Sequence, residues 1–429
     1  MFNNHHRSEL AAAALSVLRK NDRGCYTVPT FGLYPFQWNW DSCLSALGQL
    51  HYDEDRAWTE IETLFDHQWE DGMVPHIIFH EHDEGYFPGP DVWQTNRPVA
   101  TSGITQPPVA GFAIRRLYER SPDKSRIQQR AAKLIVKVAH WHEWFYRYRD
   151  PKKTGLAAII HPWETGRDNS VDWDVAFEAV PTDGVAPYTR RDITHADPEH
   201  RPTQDQYDRY IWLVQLFRQL NWDNEKLHDA SPFQIVDPGF NAILLRSCQD
   251  IAWLAEELGE DDIAARQRAN VEKGIEAMSS LWSESHGQYL CMNRRENTLI
   301  QSPSIGGLLA VFADINSEHG RRIAQRIQQL ASRAKYMVPS HDPESPDFDG
   351  ARYWRGPAWL IVNYMIADGL LRIGETACAD AIVRSSLMLM QQSGLAEYYH
   401  PHTGTGCGGK EFTWTAAMGL EFLAMQTDS

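Results

Sequence analysis

The side chains best equipped for chemistry in this chain lie in two acidic patches set among tryptophans. The first reads His161-Pro-Trp-Glu-Thr-Gly-Arg-Asp168-Asn-Ser-Val-Asp-Trp173. The second opens Ala396-Glu397-Tyr-Tyr-His-Pro-His-Thr-Gly404 and closes Phe412-Thr-Trp-Thr-Ala-Ala417. Asp168 and Glu397 are 229 positions apart, so only the fold can bring them together. Two carboxyl groups facing each other across an aromatic pocket suit glycosidic bond cleavage: one protonates the leaving oxygen, and the other activates water or attacks the sugar. By residue type alone, Glu164, Asp172 and Asp174 rival Asp168, and Glu411 rivals Glu397.

Sixteen tryptophans are the compositional outlier. Many stand in loop-like sequence beside Gly, Pro and Asp, among them Trp38, Trp40, Trp93, Trp163, Trp173, Trp354, Trp359 and Trp414. A flat indole suits the C–H face of a sugar, but it fills a core equally well. The net charge of −16 and pI near 5.5 repel phosphate and exclude nucleic acid as a partner. An anionic small molecule would need a local cationic clamp. No apolar run approaches the ~20 residues that span a bilayer, so no membrane partner is expected. The start Met1-Phe-Asn-Asn-His-His-Arg lacks a signal-like apolar stretch, and none of the six cysteines form C-x-x-C. The expected location is the cytoplasm, with reduced thiols. No phosphate-binding or dinucleotide-binding glycine loop occurs, and Gly406-Cys-Gly-Gly409 reads as a turn. His76, His80, His82 and Asp83 lack metal-ligand spacing. Neither cofactor nor metal is therefore expected. The partner is a small-molecule glycoside, and a homo-oligomer is compatible with the composition.

These residues must be positioned by helices. Apolar periodicity of helical type recurs over 8–20, 40–50, 54–68, 108–120, 124–148, 203–220, 237–258, 261–282, 304–312, 317–331, 356–373, 376–392 and 413–425. Start signals stand at Ser8, Asp53 and Asp237-Pro238, and stop signals at Gly259, Gly374 and Gly394. Short strands are expected at 26–28, 157–160 and 289–292. Many paired helices without a fixed-period repeat indicate an all-α toroid rather than a solenoid. The long irregular stretches 74–107, 158–202 and 337–355 hold most of the Trp, Gly, Pro and Asp clusters and would form one mouth of it. No composition break divides 1–429, which reads as a single catalytic domain.

The segment Trp163-Glu-Thr-Gly-Arg-Asp168-Asn-Ser resembles the W-E-[ST]-G-x-D-N-S signature of glycoside hydrolase family 63. Ala396-Glu397 through Trp414-Thr-Ala-Ala417 resembles that family's C-terminal block. Tyr353-Trp354-Arg355-Gly356-Pro357-Ala358-Trp359 and Phe36-Gln-Trp38-Asn-Trp40-Asp41 are similar to two of its sugar-binding blocks. The resemblance implies an (α/α)6 barrel and inverting chemistry, with Asp168 as general acid and Glu397 as general base. Arg201-Pro-Thr-Gln-Asp-Gln-Tyr207 is similar to a segment of the compact bacterial glucosylglycerate and mannosylglycerate hydrolases in which an Arg and a Tyr hold the glycerate carboxylate. The expected sugar-contacting set is Tyr34, Trp38, Trp40, Asp41, Tyr86, Gln106, Trp163, Arg201, Tyr207, Tyr353, Trp354 and Trp359.

The expected activity is inverting hydrolysis of a small anionic α-glycoside, glucosylglycerate first and mannosylglycerate beside it. Asp168 would be held protonated near neutral pH by burial and by the charge of Glu397. Inversion would set the two carboxyls roughly 6.5–9.5 Å apart, leaving room for water. The stretch 182–202 is expected to order over substrate and carry Arg201 inward. The alternatives are a family 63 α-glucosidase acting on a neutral disaccharide, a sugar epimerase on a similar toroid, and a non-catalytic sugar-binding protein.

Overall fold

The computed structural model describes residues 4–194 and 197–426. The outermost ends of the 1–429 domain, with part of the Met1–Arg7 start, and two residues of the 182–202 stretch lie outside that range. Among the described residues the fold is mainly helical, with sixteen α-helical segments and only two-residue strands. Helices Lys124–Tyr148, Ser317–Ala331 and Thr413–Met425 keep their expected bounds. Helices begin where Asp53 and Asp237-Pro238 signal a start. Asp53 accepts from the Arg56 amide and Asp237 from the Gly239 amide, and Thr203 closes a capping box with Gln206. Gly259, Gly374 and Gly394 all have positive φ just beyond a helix, as stop signals require.

Other boundaries differ from the sequence reading. The first helix runs Asn4–Asn21, so Ser8 lies inside it instead of capping it. The helix expected over 356–373 begins at Leu360. Pro357 has no N–H to give, and Ala358 is held extended by bridges to Pro339 and Tyr399. The segment expected over 261–282 leaves the helix after Met278, and Trp282–Ser283 pairs instead with Gln288–Tyr289. Of the expected strands, 157–160 supplies only a bridge from Ile159 to Ile235, and 26–28 a bridge from Thr27 to Asp22. Three short helices inside irregular sequence, Pro90–Trp93, Asp174–Phe177 and Asn224–Ala230, carried no periodic signal.

One continuous apolar core runs from Leu10 to Leu423. Buried charges within it are paired: Arg246 bonds Asp250 and Asp368, and Arg120 takes Glu421 through two parallel bonds. Helix Asn39–Gln49 packs against Thr413–Met425, and the latter also packs against Asn4–Asn21. The Thr413 hydroxyl joins Asn21 and Val28 at the same junction. The N-terminal and C-terminal sequence blocks are thereby brought side by side.

That junction needs close helix approach. A Cβ on Gly48 would stand 2.7 Å from the Ala417 Cα. Gly48→Ala should therefore overpack the crossing and destabilise the fold by about 1–3 kcal/mol in denaturant unfolding. An unchanged midpoint would contradict this close contact.

Candidate active site

The irregular stretches and both sequence ends converge on one cavity with about 880 Å³ of space, open solvent at its mouth included. Asp168 and Glu397 both line it. So do Tyr34, Trp38, Trp40, Asp41, Tyr86, Gln106, Trp163, Arg201, Tyr207 and Tyr353. Trp354 and Trp359 do not, which corrects the sequence reading. Both are fully buried and stack on each other with ring centres 3.8 Å apart, behind Tyr353. These two indoles fill core, and they brace the Tyr353 ring that faces the cavity. Tyr353 itself has φ 38°, a conformation uncommon outside glycine and concentrated at functional sites.

Local structure explains how Asp168 is presented. His161 caps a short 3-10 turn, Pro162–Thr165, by accepting from the Trp163 amide. Gly166 then reverses the chain at φ 70°, where a Cβ would strike the Trp40 ring at 2.5 Å. Arg167 turns inward to ion-pair Asp237 at 2.9 Å and Asp172 at 3.4 Å. The next residue, Asp168, is left facing the cavity, its carbonyl accepting from the Tyr210 hydroxyl at 2.9 Å. The rival carboxylates are occupied elsewhere. Glu164 is locked in a buried pair with Arg149, Asp172 binds Ser170, Ser304 and Arg167, and Asp174 pairs with Arg355. Glu411 points outward to Lys20.

Glu397 is held from two sides. Its Oε2 accepts the Gly409 amide at 2.8 Å, and its Oε1 accepts the Tyr34 hydroxyl at 3.3 Å. Gly408 makes that grip possible: it has φ 70°, and a Cβ there would stand 2.3 Å from Oε2. The segment read as a simple turn is therefore part of the carboxylate's mounting. Gly406–Cys407 pairs antiparallel with Tyr398–Tyr399, and the following glycines fold back onto Glu397.

Backbone bonds join the distant patches. The Asn169 side chain, next to Asp168, accepts the Trp354 amide at 2.9 Å. Ala358 and Tyr399 exchange amide bonds at 2.8 and 3.0 Å. On the opposite wall, Trp40 and Asp41 sit in the first turn of helix Asn39–Gln49, where Gln106 accepts the Trp40 amide. His76 is buried against Trp163. The neighbouring histidines diverge, with His80 bonding Gln37 and His82 exposed.

Arg201 is already turned in, with 6% exposure, where sequence reasoning expected ligand to bring it. Asp192 holds its Nε at 3.3 Å, and Arg190 in turn clamps Asp192. Arg201 Nη2 donates to the Tyr34 hydroxyl at 3.0 Å, and Nη1 lies 3.9 Å from Glu397 Oε1. Tyr207 shares the cavity but gives its hydroxyl to the Phe87 carbonyl and carries Arg190 over its ring. Sequence reasoning missed Asp192, Arg190, Tyr210 and the Gly408-Gly409 pair. The run Arg190-Arg191-Asp192 within a long irregular stretch was the available signal.

Electrostatics set the two carboxyls apart. Burial pushes Asp168 up to about 7; Arg201 opposes this, and the charge of Glu397 adds to it. Burial also raises Glu397, opposed by Arg201, the Gly409 amide and the tyrosine hydroxyls. Burial, with the charges of Glu397 and Glu60 adding to it, holds Asp41 well above the ordinary carboxylate range.

This geometry has relatives. The family model for the mannosylglycerate hydrolase MGH1-like glycoside hydrolase domain matches residues 34–415. The chain belongs to glycoside hydrolase family 63, among its mannosylglycerate hydrolase-like members. It is 44% identical over 419 residues to mannosylglycerate hydrolase MGH1 of Selaginella moellendorffii, covering 97% of this chain and 86% of that one. It is 33% identical to the glucosylglycerate hydrolase of Mycolicibacterium hassiacum, covering 97% and 98%. A crystal structure of the GH63 mannosylglycerate hydrolase of Thermus thermophilus in complex with Tris and D-glycerate superposes with TM-score 0.93 at 44% identity, covering 97% of this chain and 100% of that one. The chain is thus a glycoside hydrolase.

In this family member the Glu397 mounting is testable. Gly408→Ala should destabilise the fold by roughly 1–2 kcal/mol through the left-handed backbone. Because the added carbon displaces the carboxylate, turnover should fall by roughly 10²-fold. Full turnover in the variant would contradict the mounting.

Proposed function

We propose that this chain hydrolyses a small anionic α-glycoside, mannosylglycerate or glucosylglycerate, to the free sugar and glycerate. The observation that carries the reading is the convergence of Asp168, Glu397 and the inward-turned Arg201 on one aromatic cavity. The relatives named for mannosylglycerate reach 44% identity and the one named for glucosylglycerate 33%, so we rank mannosylglycerate first. Asp168 acts as the general acid. Protonated mostly below about pH 7, it donates to the glycosidic oxygen as the bond breaks. Glu397 stays ionised beside Arg201 and takes a proton from water on the opposite ring face, so the reaction inverts the anomeric centre. Two carboxyls separated enough to admit that water belong to this reading.

Trp38, Trp40 and Trp163 offer apolar faces to the sugar, and Asp41 a hydroxyl partner. Arg201 binds the glycerate carboxylate, with Tyr86 and Tyr207 beside it. We further assign the helices to an (α/α)6 barrel forming one catalytic domain over 1–429. Among the described residues no helix is long and apolar enough to cross a membrane. All six cysteines are unpaired, in keeping with a cytoplasmic location. The epimerase alternative calls for a histidine acid–base pair, whereas His76 is the only histidine among the described lining residues.

The test is turnover of mannosylglycerate, glucosylglycerate and a neutral disaccharide, followed as reducing sugar. The glycerate conjugates should be preferred, and kcat/KM should fall as pH rises through about 7 because Asp168 loses its proton. Asp168→Asn and Glu397→Gln should each lose roughly 10²–10⁴-fold in kcat while folding normally. Arg201→Met should cost glycerate conjugates about 10- to 100-fold and the neutral sugar much less. Equal losses on both substrates would remove Arg201 as the anion site, and near-normal kcat in either carboxyl variant would remove its assignment.

A further inference from the structure

Resting on the reading above, we infer that the aglycone carboxylate does more than anchor the substrate: by pairing with Arg201 it withdraws that cation from Asp168 and Glu397, so an anionic substrate tunes its own acid and base on arrival. The geometry begins with one side chain. Arg201 is buried and lines the cavity; Nε is taken by Asp192 and Nη2 by the Tyr34 hydroxyl. Nη1 has no well-formed hydrogen bond among the described residues, although it lies 3.9 Å from Glu397 Oε1. A buried donor left unpaired carries a desolvation penalty. A carboxylate entering the cavity relieves it with a charge-assisted bond.

The surroundings leave this guanidinium in charge of both carboxyls. Facing Arg201 are Asp192, with Arg190 behind it and Arg191 lining the same cavity, from its own loop; Tyr34 and Tyr86 from the N-terminal loops; Tyr207 from the helix that follows; and Tyr353, Tyr398 and Glu397 from the C-terminal segments. Facing Asp168 are Arg201, Glu397 and Asp192, together with Tyr86, Tyr210 and Tyr353; Asp41 lies on the Glu397 side. Burial raises every one of these tyrosines, so they stay neutral at pH 7. Arg201 is the largest influence opposing burial at Asp168 and at Glu397 alike. Neutralising it, and adding a negative charge beside it, moves both groups upward.

The consequence is chemical selection as well as affinity. Asp168 titrates near 7 in the free protein, so at neutral pH only part of the population holds the proton that the leaving oxygen needs. An anion on Arg201 draws a proton from solvent onto Asp168 and makes Glu397 a stronger base. A neutral glycoside of the same sugar leaves the Arg201 charge unpaired and so brings neither change by this route. Reciprocity then requires the affinity for glycerate to fall as Asp168 deprotonates.

The experiment is calorimetric titration of D-glycerate into the full-length protein at about pH 7.5, in phosphate, HEPES and imidazole buffers of differing ionisation enthalpy. Each binding event should take up protons, about half a proton for a one-unit rise of a group titrating near 7. Asp168→Asn should lose most of that uptake while still binding D-glycerate, and glycerol should bring none. Binding with no proton uptake would overturn this inference and leave the hydrolase reading standing. Failure of D-glycerate to bind at all would overturn the anion site, and the proposed substrate class with it.

Discussion

Everything in the site depends on burying Asp168 and Glu397 in one cavity where the Arg201 guanidinium acts on both. Burial favours the protonated form of both, and an acid–base pair in which both members are acids does nothing. Arg201 breaks that symmetry unequally. It lies 3.9 Å from Glu397 and reaches it again through the Tyr34 hydroxyl, whereas it acts on Asp168 only through space. Glu397 also gains the Gly409 amide. Glu397, with the Gly409 amide and two tyrosine hydroxyls, is the one suited to stay ionised, and Asp168, with only its own amide as a fixed donor, is pushed up to about 7.

Holding that arrangement is the task of the fold. Asp168 and Glu397 are joined through a third segment: Asn169 grips the Trp354 backbone, and Ala358 and Tyr399 exchange amide bonds. The stacked Trp354 and Trp359 stiffen this bridge from behind. The helix pair Asn39–Gln49 and Thr413–Met425, in contact at Gly48, sets the opposite wall against it. The irregular segments that carry the chemistry are thus tied to helices at both ends, as a preorganised site requires.

Much of this was legible in the sequence because its physics is local. Caps at Asp53 and Asp237 marked helix starts, though Ser8 did not, and carboxylates among loop tryptophans marked the cavity. Where one side chain serves two ends, legibility failed. An indole in a Gly-Pro-rich block reads the same whether it lines a cavity, as Trp163 does, or backs it, as Trp354 and Trp359 do. Choosing Asp168 over Glu164, Asp172 and Asp174 required a family resemblance, since only coordinates reveal that those three are already bonded to Arg149, Arg167 and Arg355. The Gly408-Gly409 mounting and the Asn169–Trp354 bond are contacts between backbone and distant side chains. Neither leaves a periodic or compositional trace.

The central claim is that Asp168 and Glu397 attend opposite faces of one sugar ring with a water between Glu397 and the anomeric carbon. Proton NMR during the first turnovers of an α-linked glycerate glycoside tests it most directly. The account predicts that β-sugar forms first and only later equilibrates with the α form; α-sugar as the initial product would mean that Glu397 attacks carbon rather than activating water, and would contradict it.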